Sequence, residues 1–205
     1  MRPLVPALLL ATAAGCVLPA RRSAPIRYYA VDRQAALERG GPPAPLVLAV
    51  RTFIASPRYD ERIFFRGEGT TAGYHDYQRW VELPGEMVTS VVRRALEQAA
   101  VAATVVDERL VRRPDLVLEG RVTRFDQVHG PQGWAAACEA ELVLKRADGG
   151  EVLLATRVAA RQPAEAKTIE ASVEAMNAAV ADLAAQATAA VAKATRELQA
   201  GETIP

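Results

Sequence analysis

The sequence predicts an α/β domain of the two-layer, α+β kind: a mostly antiparallel sheet carrying one mid-chain helix and one long C-terminal helix. Three observations predict it. Between Leu116 and Val158 apolar and polar residues alternate with period two, the mark of a sheet with one wet face. From Pro84 to Ala99, and again from Lys167 to Ala200, apolar residues recur at three- and four-residue steps, the spacing of a helical stripe. The chain of 205 residues is 50% apolar with a formal charge of only +1, a composition that supplies the core of one domain.

The same composition excludes several classes. Lys+Arg is 25 against Asp+Glu 24, so there is no basic excess to neutralise phosphates, and a nucleic-acid partner is not expected. Two cysteines and two histidines are too few for a Cys/His zinc site or a disulfide framework. No apolar run reaches the ~18–20 residues of a spanning helix.

Residues 1–15 have the order of a secretory signal. Met1-Arg2 is charged, Pro3 to Ala14 is apolar around Leu8-Leu9-Leu10, and Ala13-Ala14-Gly15 are small. Cys16 follows directly. This arrangement resembles a bacterial lipobox, with Ala13 standing where the usual motif has Leu. The resemblance implies cleavage before Cys16 and lipid on its thiol; the other reading is an ordinary cleaved signal with a chance cysteine. Loss of Arg2 leaves 24 charges of each sign, so acyl chains and not net charge would hold the protein to a membrane. Residues 16–25, polar and Pro-containing after Leu18, read as a lipidated tether, and residues 26–205 as the single domain.

The domain elements follow in order. Ile26–Val31, with Tyr28-Tyr29, is a first strand, and Leu46–Phe53 (LVLAVRTF) is short and apolar like a buried central strand. Arg62–Arg66 and Tyr74–Val81 are aromatic strands that pair across the turn GEGTTAG at 67–73. Pro84 opens a helix at the position where a missing N–H costs nothing, and Val88, Val91, Val92, Ala95, Leu96 and Ala99 form its stripe. Glu82 and Glu86 near its start and Arg93-Arg94 further on suit the helix dipole. A short strand is expected at Ala103–Val106. Leu116, Leu118, Gly120 and Val122 then share one face; so do Cys138, Ala140, Leu142 and Leu144, and Val152, Leu154 and Val158. Asp148-Gly149-Gly150 turns between the last two strands. In the final helix Ile169, Val173, Met176, Val180, Leu183, Ala187, Val191, Ala194 and Leu198 make the strongest stripe in the chain. It either packs whole on its own sheet or leaves an alanine-rich half for a partner helix.

Catalytic constellations are thin. His75 lies on an aromatic strand and His129 on a Gly/Pro-flanked loop, without metal-ligand spacing. No G-x-S-x-G elbow is present, and Gly67-Glu68-Gly69 reads as a hairpin turn because it lacks the Lys-Ser/Thr of a phosphate loop. Asp60-Glu61 and Glu82/Glu86 read as solvated carboxylates. Cys138 has the parity of a buried, inert thiol. No catalytic, metal or cofactor residues are assigned; the one covalent group expected is lipid on Cys16.

Nine of the eleven aromatics fall between Tyr28 and Trp80, interleaved with Arg58, Arg62 and Arg66. This is either an aromatic-heavy core or an exposed binding patch, since rings and arginine are enriched at interfaces. Tyr59, Arg62, Phe64, Tyr77 and Trp80 are the candidate partner-binding residues.

Taken together, the lipobox, the Tyr28-Tyr29 strand, LVLAVRTF, Tyr59-Asp60-Glu61-Arg62-Ile63, Arg79-Trp80-Val81-Glu82-Leu83-Pro84, the Met87-led helix and the alanine-rich terminal helix resemble the auxiliary lipoproteins of ABC-type transport systems. That group includes the lipoprotein of the paraquat-inducible operon. The likeness covers nearly the whole mature chain and is densest over Arg58–Leu96, with W-x-E-x-P-x-x-M at Trp80–Met87. It implies a compact α/β domain without catalysis. Its implied partners are an MCE-domain protein, a permease and an ATPase that move lipid across the Gram-negative envelope. It further implies a lipid-anchored protein on the periplasmic face of the outer membrane, since Val17 and not Asp follows the cysteine. A lipid-binding module that itself takes a phospholipid, or an envelope-assembly lipoprotein with an unrelated partner, are the alternatives.

Overall fold

A computed structural model describes residues 24–37 and 41–202. The signal and Cys16 lie outside the described residues. Nine strands and two α-helices follow one another as β1 (Arg27–Tyr29), β2 (Ala44–Val50), β3 (Ile54–Ala55), β4 (Arg62–Arg66), β5 (Ala72–Trp80), α1 (Pro84–Gln98), β6 (Ala102–Asp107), β7 (Leu116–Gly130), β8 (Gly133–Arg146), β9 (Val152–Pro163) and α2 (Ile169–Glu202). A 3-10 turn over Glu108–Leu110 follows β6.

The α+β character holds, but the mostly antiparallel sheet does not. All nine strands join one mixed sheet, and five of the eight pairings are parallel: β1–β5, β2–β6, β2–β7, β3–β7 and β4–β7. Only β4–β5, β7–β8 and β8–β9 are antiparallel. The 15-residue β7 organises the rest. Along one edge it takes β2 at Leu48↔Leu116, β3 at Ile54↔Arg121 and β4 at Phe65↔Gln127, so the chain from 44 to 66 runs beside it as three broken pieces. Its other edge pairs with β8 along nearly its whole length. Period two reports which face of a strand is wet, not the direction of its neighbour. It described the antiparallel β7–β8–β9 meander except at the start of β9, where a register shift sets Val152 opposite Lys145 and leaves it exposed instead of on the face of Leu154 and Val158, and it was silent about the parallel partners.

The bulge between Val122 and Arg124 explains where the alternation stops in the sequence. One extra residue shifts the inward parity, so Phe125 and not Arg124 enters the core, where its ring meets Trp80 edge to face at 5.3 Å. The strand then continues to Gly130. His129 therefore lies on β7 and not on a loop, its ring stacked between Phe65 at 4.9 Å and Trp134 at 3.8 Å.

Both helices contribute to one core. The α1 stripe is buried from Met87 to Ala99 and rests on β3, β6 and β7. Pro84 opens the helix after Leu83, whose side chain makes no capping bond; Glu86 is acidic in the first turn, but no basic residue lies in the last. Arg93 instead bonds Glu97 one turn on, and Arg94 donates to the Asp32 carbonyl. α2 packs on β8, β9 and α1, and its stripe is buried from Val173 to Ala194. The helix therefore spends its stripe within its own domain, on α1 as well as on the sheet. Each large apolar side chain sealed here contributes ~1.5–3 kcal/mol relative to exposure.

Between the helices runs the segment that follows β1. Val31 and Ala35 are buried against them. Asn177 of α2 accepts from the backbone N–H of Asp32 at 3.0 Å and of Arg33 at 3.1 Å, and donates to the carbonyls of Ala30 and Val173. Three of the four bonds of this amide tie the strap down, and the fourth returns to the helix at Val173.

Candidate functional site

The aromatic and arginine region divides into an inner and an outer set. Tyr59, Phe64 and Trp80 are buried, and Arg62 and Tyr77 are exposed. Phe64 meets Tyr59 at 5.7 Å and Tyr74 at 5.3 Å, both edge to face, which locks the 54–62 segment onto the β4–β5 hairpin. The hairpin turns as its glycines predict: Gly67 and Thr71 bond across it and Gly69 takes φ +60°.

Under this cluster Asp126 is wholly buried. Its Oδ1 accepts from the Tyr59 hydroxyl at 2.7 Å, and its Oδ2 from Arg66 Nε at 2.6 Å and Arg124 Nε at 2.9 Å. Burial and the neighbouring carboxylate push the Tyr59 hydroxyl up to about 12, so it stays a donor. Arg124 also reaches Glu139, and Arg157 pairs with Glu141, so the arginines on this face are matched by carboxylates. Asp126 lies beyond the legible alternation of β7, and no local signal marked it.

The outer set is a rim. Arg62 is paired with Asp60 and lies over the Tyr74 ring at 4.0 Å. Ile54, Tyr77, Val81 and Leu83 are exposed large apolar residues, as are Tyr28 on the adjacent β1 and Ile26 just before it. The W-x-E-x-P-x-x-M stretch alternates between the two sets: Trp80, Pro84 and Met87 are buried anchors, while Val81, Glu82 and Leu83 point to solvent. Gly85 is packed so closely that a Cβ there would lie 2.2 Å from the Phe53 carbonyl oxygen. The Phe53 amide in turn donates to Thr89 Oγ1 at 2.8 Å, and that hydroxyl donates to Gly85. The motif is thus a joint that fixes the start of α1 to the β2–β3 link while holding Val81 and Leu83 outward.

The tertiary structure brings the two imidazoles to 5.8 Å, with His75 Nε2 at 2.8 Å from Gln127 Oε1. Burial lowers both pKa values, that of His129 to about 4. Cys138 is fully buried, and burial pushes its thiol upward. Among the described residues no group of three or more His, Cys, Asp and Glu is placed to hold a metal ion. Nor is any helix among them long and apolar enough to cross a membrane. Sequence reasoning also missed a pocket at the far end of the helix pair, lined by Leu37, Val101 and one face of α2.

The model of the ABC-type transport auxiliary lipoprotein component family matches residues 32–188, which hold both sets, the joint and most of α2. The chain belongs to this family of auxiliary lipoproteins. The fold of this auxiliary lipoprotein is shared by protein XCC0632 from Xanthomonas campestris, with a TM-score of 0.77 at 19% identity over 85% of this chain and 99% of that one. A second solved structure, of a protein described only as uncharacterized, has a TM-score of 0.64 at 12% identity, over 81% of this chain and 98% of that one. No curated protein matches the auxiliary lipoprotein in sequence. The family is one of auxiliary components of ABC-type transport.

Proposed function

We propose that this auxiliary lipoprotein is the non-enzymatic accessory of an ABC/MCE-type lipid transporter, docking the transporter's periplasmic part at the membrane. The observation that carries this reading is the family match over residues 32–188. Lipid on Cys16 anchors the chain, and the residue after it, Val17, favours the periplasmic face of the outer membrane. The docking surface is the exposed rim of Ile54, Tyr77, Val81 and Leu83 with Arg62 beside it; apolar residues gathered at a surface and flanked by arginine suit a protein partner. Tyr59, Phe64 and Trp80 support that rim from inside.

Affinity capture of the lipoprotein from envelope membranes, in the presence of the MCE-domain protein, tests the partnership. Co-purification that is lost in a Val81→Asp/Leu83→Asp double variant is the expected result; no complex at high concentrations of both proteins refutes it. Fractionation of a Cys16→Ala variant tests the anchor separately. Release from membranes is expected, and unchanged pelleting would sink the anchor.

A further inference from the structure

We infer that the outer face of the β1 edge, Ile26 and Tyr28 with the neighbouring Tyr77, rests on the surface of the lipid bilayer and fixes how the domain is turned there. The inference builds on the reading that Cys16 carries lipid and goes beyond it, from a tether to a face.

β1 is the outermost strand on its side of the sheet and runs parallel to β5, with Tyr28 beside Arg79 and Tyr29 beside Trp80. Successive side chains of a strand point to opposite faces. Tyr29 turns toward α2, where its hydroxyl donates to Glu170 at 3.0 Å, and Arg27 reaches the same carboxylate at 3.4 Å. Tyr28 therefore turns away from α2, on the side of Arg79. One step back in the same register, Ile26 lies beside Tyr77. These three large side chains stay uncovered: Ile26 is 51% exposed, Tyr28 61% and Tyr77 41%.

The place where the chain leaves the domain argues that a bilayer covers them. Cys16 stands eight residues before Ala24, the first described residue, and eight residues span at most about 29 Å. Acyl chains on Cys16 would keep this edge close to the membrane. Val152, as exposed as Ile26, has no such tie: it pairs with Lys145, which pairs with Val117 at the start of β7. The residue types agree. Isoleucine takes hydrocarbon contact, and tyrosine buries a ring while its hydroxyl stays wet, the combination that gathers at membrane interfaces. Arg79, on the same face, bonds the carbonyls of His75 and Gln78 at 2.9 Å and has no carboxylate partner among the described residues, so its charge is available to a lipid phosphate. The acyl chains supply the affinity and this face the direction. Tyr77 lies where the resting face meets the docking rim, so a partner on Val81 and Leu83 is met beside the bilayer.

The lipidated chain in vesicles of phosphatidylethanolamine and phosphatidylglycerol tests the inference. Cys16 is blocked by lipid and Cys138 is buried, so a nitroxide reagent labels only an introduced thiol. On the vesicles, a label at Ile26→Cys should show a several-fold rise in collisions with oxygen relative to a water-soluble nickel chelate; a label at Val152→Cys should show none. Adding Tyr28→Glu to Ile26→Cys should return the ratio to the Val152 value while the protein stays on the vesicles, with a thermal melt to show that it folds. Should that variant unfold, the contrast between positions 26 and 152 still decides. Equal, aqueous ratios at both positions on vesicle-bound protein would overturn the resting face and leave the anchor standing, as would shielding at 26 that needs added MCE-domain protein. A chain that does not float with the vesicles refutes the lipid anchor itself, and this face with it.

Discussion

Tyr59 gives its hydroxyl proton to Asp126 at 2.7 Å across 67 residues of sequence, in a site where Asp126 has no exposed surface. This bond closes the 54–62 segment over β7, and with Arg66 and Arg124 it leaves no Asp126 oxygen without a donor. The rim above it depends on this inner layer for its position.

Tyr59→Phe removes one hydrogen bond to a buried carboxylate and keeps the ring contact with Phe64. It should cost about 1.5–3 kcal/mol. Asp126→Ala strands three donors, but Arg66 and Arg124 are partly exposed and can turn to water, so its cost should be about 3 kcal/mol, at the low end for breaking a buried pair. Urea unfolding of both variants checks the order.

Asn177 makes three hydrogen bonds to the strap between β1 and the helix pair, more than any other side chain among the described residues, with Arg94 adding one to the Asp32 carbonyl. Asn177→Ala leaves the amides of Asp32 and Arg33 without their acceptor and should destabilise the fold by about 2–3 kcal/mol. Hydrogen exchange gives the specific readout. Protection should fall at Asp32 and Arg33 well before it falls in β7 or β8; a uniform fall would refute the strap as a separate unit.

Gly85 and Gly120 both face Phe53, but differently. A Cβ at Gly85 meets the Phe53 backbone oxygen, and one at Gly120 meets the Phe53 ring at 2.6 Å. A ring can tilt, whereas a backbone held by its own bond to Thr89 cannot. Gly85→Ala should therefore cost more than the ~1–3 kcal/mol typical of overpacking, and Gly120→Ala should fall within that range. Thermal melts of the two variants compare them directly.

Stability should depend on pH through His129. Its pKa in the fold is lowered from 6.5 to about 4 by burial and by His75. Between those values the unfolded chain binds a proton that the folded chain refuses, so stability is full above pH 6.5 and is lost as pH falls toward 4. His75 is lowered too and acts in the same direction. Asp107, held at about 2 by Arg109, weakens the fold only at still lower pH. His129→Phe keeps a ring between Phe65 and Trp134 without the titration. Denaturant midpoints at pH 7.5 and 5 should differ less in this variant than in the wild type; an equal difference would exclude His129 as the cause.

The legible parts of the fold were those with a local cause. Pro84 and the Val88–Ala99 stripe marked α1 within a residue or two of its ends, and the Ile169–Leu198 stripe marked α2. The glycines of 67–73 marked the hairpin, and the alternation after Leu116 marked the core face of β7 as far as its bulge. For the candidate site the sequence carried the composition and not the placement. Tyr59, Phe64 and Trp80 cannot be told from Tyr77 by residue type, yet three are sealed in the core and one faces water.

By itself, then, the sequence determined the two helices, the hairpin, the wet and dry faces of β8 and of β7 as far as its bulge, and the family. Those follow from periodicities, turn residues and motifs that neighbouring residues impose on one another. Only the tertiary structure decided that β2, β3 and β4 line up in parallel along β7 and that Asp126 gathers Tyr59, Arg66 and Arg124. Strand direction and burial are settled by contacts between segments tens to more than a hundred residues apart, and no local pattern encodes which of two compatible neighbours a strand or a ring will meet.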